Sequence, residues 1–147
     1  MIDYYIDTNI FLNVIYKEKA FYEKSKIFLK KIHNGEYQAI TSSITLLEIA
    51  LDMAESDYIE LIDKAIASIE DIQNLDIISL DKTMAKQAVI FVLRDNLTIH
   101  DAYHLSTALQ QKVKAFVTRD EELQKKISRY IKIIIPEEIW IISYFPI

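Results

Sequence analysis

The sequence contains no cysteine, one glycine and two prolines among its 147 residues. Without cysteine there is no disulfide framework, no thiolate metal site and no cysteine nucleophile, which suits a reducing compartment. Both prolines, Pro136 and Pro146, lie near the C-terminus. No repeat, low-complexity tract or linker interrupts the chain, so the expectation is one compact unit over residues 1–147. Long hydrophobic runs are also missing. Runs such as Ile133 to Ile135 and Ile139 to Ile142 are far too short to span a bilayer. The first residues carry no basic segment followed by an apolar stretch, as a signal peptide would. The expected setting is cytosolic, with no membrane. Positive charge is in the minority, 17 Lys and Arg against 22 Asp and Glu, a net charge of −5. That argues against a broad, nonspecific grip on nucleic acid. It leaves room for an enzyme that holds its substrate locally through a metal.

What is present is an ordinary globular balance, 51% apolar and 27% charged. Short apolar runs alternate with amphipathic stretches. Strands are expected at Tyr4 to Ile6, Tyr37 to Thr41, Leu75 to Leu80, Ala115 to Val117 and Ile131 to Ile135. Helices are expected at Asn9 to Tyr16, Phe21 to His33, Ile44 to Met53, Tyr58 to Ile72, from Asp81 to about Arg94, Ile99 to Gln111, and from Asp120 or Glu121 to about Lys126. Asn34-Gly35 reads as a helix stop, and Asp81 as a helix cap. Alternating strands and helices predict an α/β fold: a three-layer α/β/α sandwich around a mainly parallel sheet. The strands are continuously apolar, as expected when both faces of a sheet are covered. The apolar tail from Trp140 to Ile147 is expected to form an edge strand, a core plug or a dimer contact.

Ligands of open parallel sheets bind at the carboxyl ends of the strands. Asp7 ends the first strand, Asp120 closely follows the fourth, and Glu48 lies one turn into the helix after the second. Asp101 opens a further helix. Four carboxylates brought together would raise one another's pKa and oppose folding. A hard divalent cation with oxygen ligands, Mg²⁺ or Mn²⁺, removes that cost. Such an ion can also activate water and neutralise charge on a phosphodiester. Each acid equally fits a plain helix-opening role. Thr45 to Glu48, Thr98 to Asp101 and Thr118 to Glu121 follow a capping-box pattern, and Asp7 can cap the first helix. Spacing alone leaves both readings open.

The local sequences around the acids are more specific. Asp7-Thr8-Asn9-Ile10-Phe11-Leu12 resembles the opening motif of PIN-domain nucleases. Ser42-Ser43-Ile44-Thr45-Leu46-Leu47-Glu48-Ile49 is similar to their second motif, Asp101-Ala102-Tyr103-His104-Leu105-Ser106-Thr107-Ala108 to the third, and Phe116-Val117-Thr118-Arg119-Asp120-Glu121-Glu122-Leu123 to the fourth. The motifs occur in family order and reach across nearly the whole chain. The resemblance implies an α/β/α sandwich binding Mg²⁺ or Mn²⁺ and hydrolysing RNA to 5′-phosphate and 3′-hydroxyl ends. It also implies a VapC-type toxin, commonly dimeric and held inactive by a partner antitoxin. By the same resemblance Asp7, Glu48 and Asp101 match the metal-site acids and Asp120 the fourth acid. Asn9 and Thr118 match polar residues that support the cluster. Two departures stand out: Gln111 to Lys114 lacks the glycine that family members often carry there, and the apolar tail is longer than a minimal toxin needs. The alternative is a catalytically silent PIN-fold binding or regulatory module that keeps its acids for folding or docking.

Other residues bear on the choice. His100 and His104 flank Asp101 at zinc-protease spacing, but no third ligand follows, and the shorter Asp replaces the usual Glu. His100-Asp101 also matches the doublet of all-helical phosphohydrolases, which the predicted strands oppose. Both histidines are expected at the surface or behind the site. Arg119, beside Asp120, is the basic residue expected to contact an RNA phosphate. Lys17, Lys19, Lys24, Lys26, Lys30 and Lys31 fit a solvated helix face. Tyr103 is expected to pack in the core rather than stack on a base.

Overall fold

The computed structural model describes residues 1–139. Its elements follow one another as β1 (Tyr4–Ile6), α1 (Thr8–Ile15), α2 (Tyr22–His33), β2 (Ala39–Ser42) and α3 (Ser43–Glu55). A 3₁₀ turn (Ile59–Leu61) leads into α4 (Ile62–Glu70), then β3 (Leu75–Ile78), α5 (Lys82–Asp95) and α6 (Ile99–Gln110). The described chain closes with β4 (Ala115–Val117), α7 (Glu121–Ile127) and β5 (Ile133–Ile134). The five strands form one parallel sheet in the order β3-β2-β1-β4-β5.

The three-layer architecture follows from the two-residue period of the strands. Ile6, Ala39, Leu75, Ala115 and Val117 pack into one core cluster, with Phe11 of α1, Phe28 and Ile32 of α2, Ile49 and Met53 of α3 and Ile69 of α4. The intervening residues Tyr5, Ile40 and Phe116 belong to the other cluster, with Ala88 and Phe91 of α5, Ala102 and Leu105 of α6 and Leu123 and Ile127 of α7. Among the described residues, α1 to α4 therefore cover one face and α5 to α7 the other.

Local chemistry sets the element ends. Gly35 takes φ +84° after α2. Its N–H bonds Ile32 O at 2.9 Å and the Glu36 N–H bonds Lys31 O at 2.9 Å. That closes the helix as a Schellman-type stop, which a residue with a Cβ fits poorly. Asp81 caps α5 by accepting from Met84 N at 2.8 Å. The stretch expected to be one helix from Tyr58 is split, because the 3₁₀ turn precedes α4. The tail from Trp140 to Ile147 lies outside the described residues. No helix among the described residues is long and apolar enough to cross a membrane.

The strand order places a switch beside β1. The chain runs outward through β2 and β3, then returns to lay β4 on the other side of β1. Crevices at the carboxyl ends of strands form where the winding reverses in this way. Asp7 follows β1 and Thr118 follows β4, on the two sides of that crevice.

Candidate active site

A cleft of about 190 Å³ is lined by Asp7, Thr8, Asn9, Leu12, Glu48, Asp52, Asp101 and Asp120. The four acids singled out from the sequence thus share one cavity, together with a fifth, Asp52. That residue lies one helical turn beyond Glu48 on α3, so the two carboxylates share a helix face. The i, i+4 spacing was the available signal for Asp52. Its Oδ1 accepts a hydrogen bond from the Tyr16 hydroxyl at 2.5 Å.

Two of the acids are helix caps as well as cleft walls. Asp7 caps α1, its Oδ1 accepting from Thr8 N at 2.8 Å. Asp120 caps α7, its Oδ1 accepting from Leu123 N at 3.0 Å. The capping and cleft roles are compatible, because the end of a strand and the start of the next helix meet at the crevice. Asp101 sits in the first turn of α6, where its N–H donates to the capping Thr98 hydroxyl at 3.2 Å. Glu48 has no capping role: α3 is capped by Ser42, and Thr45 is buried behind the site.

A polar mesh fixes Asp7. Thr118 Oγ1 donates to Asp7 Oδ2 at 2.7 Å, and Asn9 Nδ2 donates to the same oxygen at 3.0 Å. Asn9 Nδ2 also reaches Thr118 Oγ1 at 3.0 Å, and the Asn9 carbonyl accepts from Arg119 N at 3.2 Å. Thr118 Oγ1 further accepts from Asp120 N at 3.1 Å. The loops after β1 and β4 are thereby tied together through one carboxylate. Glu48 is held by a second set. Thr8 Oγ1 donates to Glu48 Oε1 at 2.8 Å, and His104 Nε2 bonds the same oxygen. His104 Nε2 also lies 3.6 Å from Asp7 Oδ1. His100 Nδ1 lies 3.7 Å from Glu48 Oε2.

The electrostatics reflect crowded negative charge. Burial, helped by the charge of Glu48, raises the pKa of Asp7 against the lowering effects of His104, Thr118 and Thr8. Burial likewise raises Asp101, with added repulsion from Asp7 and Asp120. Glu48 goes the other way. Burial pushes it up, but the bond and charge of His104, the Thr8 hydroxyl and His100 bring it below the usual value. His104 is driven down by burial, yet its bond to Glu48 and the charges of Asp7, Glu48 and Asp101 leave it raised.

Hard oxygen donors on one cleft, two of them made costly to ionise by burial and by neighbouring negative charge, are the chemistry a small divalent cation fits. Asp7, Glu48, Asp101 and Asp120 could hold such an ion. Among the described residues no three acids or histidines close into a ready-made cage. Mg²⁺ does not need one, since it keeps several waters beside one or two carboxylates and substrate phosphates.

Arg119 differs from expectation. Its side chain is 10% exposed and bonds Glu137 through Nη1, at 3.1 Å to Oε2. Nε donates to Asn13 Oδ1 at 3.0 Å and Nη2 to Ser25 Oγ at 3.1 Å. Phe21 lies against the guanidinium, 4.5 Å from ring centroid to Cζ. The group expected to meet a phosphate is spent on internal contacts that fasten the fourth motif to α1 and α2. His104 is fully buried, while His100 is partly exposed at the cleft. Tyr103 packs against the core cluster beneath α6. Of the basic set, Lys24 pairs with Glu137 at 3.5 Å and Lys31 with Glu36 at 3.1 Å.

No curated protein matches the sequence. Among solved structures, the chain is similar to VapBC2 from Rickettsia felis bound to a DNA fragment from its promoter, with TM-score 0.69 and 19% identity over 91% of this chain and 98% of that one. It is also similar to Mycobacterium tuberculosis VapC20, a Sarcin-Ricin loop cleaving toxin, with TM-score 0.68 and 13% identity over 84% of this chain and 94% of that one. A toxin–antitoxin complex from Klebsiella pneumoniae matches with TM-score 0.64 and 19% identity, over 91% and 98%. At these identities the likeness establishes the fold. The PIN domain family model matches residues 4–129, from β1 through α7 and across all four acidic motifs, so the chain belongs to the PIN domain family.

Proposed function

We propose that this protein is a metal-dependent endoribonuclease, the toxin of a toxin–antitoxin pair. The observation that carries the reading is the single cleft walled by Asp7, Glu48, Asp52, Asp101 and Asp120 at the carboxyl ends of the central parallel strands. Asp7, Glu48 and Asp101 would hold Mg²⁺ or Mn²⁺, with Asp120 in support. When bound, the ion supplies Lewis acidity: it activates water, neutralises phosphodiester charge and supports the leaving oxygen.

The chain's own residues define the rest. Thr118 and Asn9 saturate Asp7 Oδ2, which stops that carboxylate rotating away from the cleft. Thr8 and His104 do the same for Glu48 Oε1. The buried floor of Tyr5, Thr45 and His104 excludes water behind the acids. Such acidic walls repel a polyanion, so RNA binding depends on cation-mediated contact rather than a basic surface.

A partner antitoxin is supported by similar structures, several of which are toxin–antitoxin complexes. The RNA substrate is supported by the loop-cleaving toxin among them. A homodimer is carried over from the family resemblance, and a cytosolic setting from the sequence. The deciding experiment compares cleavage of a mixed RNA pool by wild type and Asp7→Asn in Mn²⁺ and in chelator. Asp7→Asn should lose about a hundredfold of activity or more. Equal cleavage by both proteins, or cleavage unaffected by chelation, discards the reading.

A further inference from the structure

Two of the buried polar side chains behind the acids are also bonded to each other. Tyr5 lies in the central strand and His104 on α6, and both are fully buried. Their rings meet edge to face at 5.7 Å between centroids. The Tyr5 hydroxyl lies 2.5 Å from His104 Nδ1. The opposite ring nitrogen, Nε2, bonds Glu48 Oε1. Both ring nitrogens are therefore occupied by side chains, one of them a candidate metal ligand.

We propose that Tyr5 and His104 form a buried positioning relay that decides which Glu48 oxygen is offered to a divalent cation. Nε2 donates to Glu48 Oε1 whether the ring is neutral, with the Tyr5 hydroxyl donating to Nδ1, or charged, with Nδ1 donating to the Tyr5 oxygen. Thr8 Oγ1 donates to the same oxygen at 2.8 Å. Oε1 is thus doubly engaged, and Oε2 becomes the oxygen available in the cleft. The ring cannot swing away, because Tyr5 is itself stacked on Phe116 at 4.9 Å between centroids and 22° between planes. The same Nε2 sits 3.6 Å from Asp7 Oδ1, so one imidazole sets the spacing between the carboxylates that follow β1 and β2. His104 and Tyr5 are positioning residues rather than catalytic ones. The relay rests on the reading of the cleft as a cation site.

The test is a Mn²⁺ titration of the full chain without RNA, followed by paramagnetic resonance of the free ion. His104→Asn keeps a polar atom towards Tyr5 but withdraws the donor from Glu48. His104→Gln keeps an amide donor near the position of Nε2. His104→Asn should raise the Mn²⁺ dissociation constant about tenfold, and His104→Gln should restore it to within about threefold of wild type. A merely structural histidine would make the two variants equal. Equal constants for the two variants, or a His104→Asn constant matching wild type, overturn the relay. If either His104 variant does not fold, Tyr5→Phe decides: it keeps the stacked ring, removes only the hydroxyl, and should weaken binding about threefold. An unchanged constant in Tyr5→Phe then overturns the proposal. Asp7→Asn separates the two failures. If Asp7→Asn abolishes Mn²⁺ binding while His104→Asn does not weaken it, only the relay falls. If wild type binds no Mn²⁺, the cation site and the relay fall together.

Discussion

Replacing Arg119 with alanine separates an RNA contact from an internal clamp. The guanidinium is 10% exposed and meets Glu137, Asn13, Ser25 and the face of Phe21. Asn13 and Ser25 are buried. Hydrogen bonds to a charged group contribute about 1.5–3 kcal/mol each in isolation, and a cation over an aromatic face about 0.5–1 kcal/mol. These contributions do not add, since one side chain makes all of them. Removing one partner of an enclosed ion pair costs about 3–5 kcal/mol. Glu137 is 21% exposed and can recover some hydration, so the lower end, about 3 kcal/mol, is the expected loss. For a chain of this length that is a fall of about 6–12 °C in melting temperature. Arg119→Lys should not rescue it, because a single ammonium cannot reach Asn13, Ser25 and Glu137 in one geometry. The assay is thermal unfolding followed by circular dichroism, with RNA retention measured below the transition. A mutant that melts within about 2 °C of wild type while losing RNA affinity would refute the reasoning and restore Arg119 as a phosphate ligand.

Further outcomes can be checked alongside. Asp52→Asn should lower RNA cleavage by about tenfold, less than Asp7→Asn, because Asp52 lines the cleft beside the main acids; cleavage at the wild-type rate would remove it from the site. Gly35→Ala should cost about 1 kcal/mol because φ is +84°, read as a shifted denaturant midpoint with an unchanged slope. Stability without metal should fall as pH rises. His104 has a raised folded pKa, burial notwithstanding, owing to Glu48 and Asp7. Its contribution is therefore complete below the unfolded value of about 6.5 and is lost as pH climbs through the folded value. Asp7 and Asp101, raised chiefly by burial, act with the same sign at lower pH. Glu48, whose pKa is lowered, acts with the opposite sign, and only in acid. Melting temperatures in chelator should drop as pH rises above about 6.5, and His104→Gln should flatten that slope. A flat profile in wild type would contradict the sign.

Much of the fold was legible because its strands are short apolar triplets between helices with clear periods. Tyr4 to Ile6 and Ala115 to Val117 were expected with the bounds the structure has. Ends were harder to read where one residue serves two elements. Ser42 closes β2 and also caps α3, so the expected strand from Tyr37 to Thr41 was offset. Around Tyr58 the apolar pattern continues through a 3₁₀ turn, and periodicity alone does not mark the break. In the cleft, the acids named from sequence do line one cavity. Asp52 was missed because it lies outside the local motifs. The enclosure of Arg119 depends on Asn13, Ser25 and Glu137, separated from it by up to 106 residues; no local window contains that information. The same holds for His104, whose partners Tyr5 and Glu48 come from distant segments.

The place of β1 between β2 and β4 bears on how the molecule comes into being. Asp7 N–H bonds Val117 O at 3.0 Å, and the Asp7 carboxylate is steadied by Thr118. A ribosome makes the chain from N- to C-terminus, so β1 stays without one of its two neighbours until β4 has emerged, Thr118 following Asp7 by 111 residues. Until then Asp7 has no Thr118 or Asp120 opposite it. A nascent chain, or one terminated before β4, therefore carries the first acidic motif with no assembled cleft, and the cavity is complete only once Thr118 and Asp120 have been made.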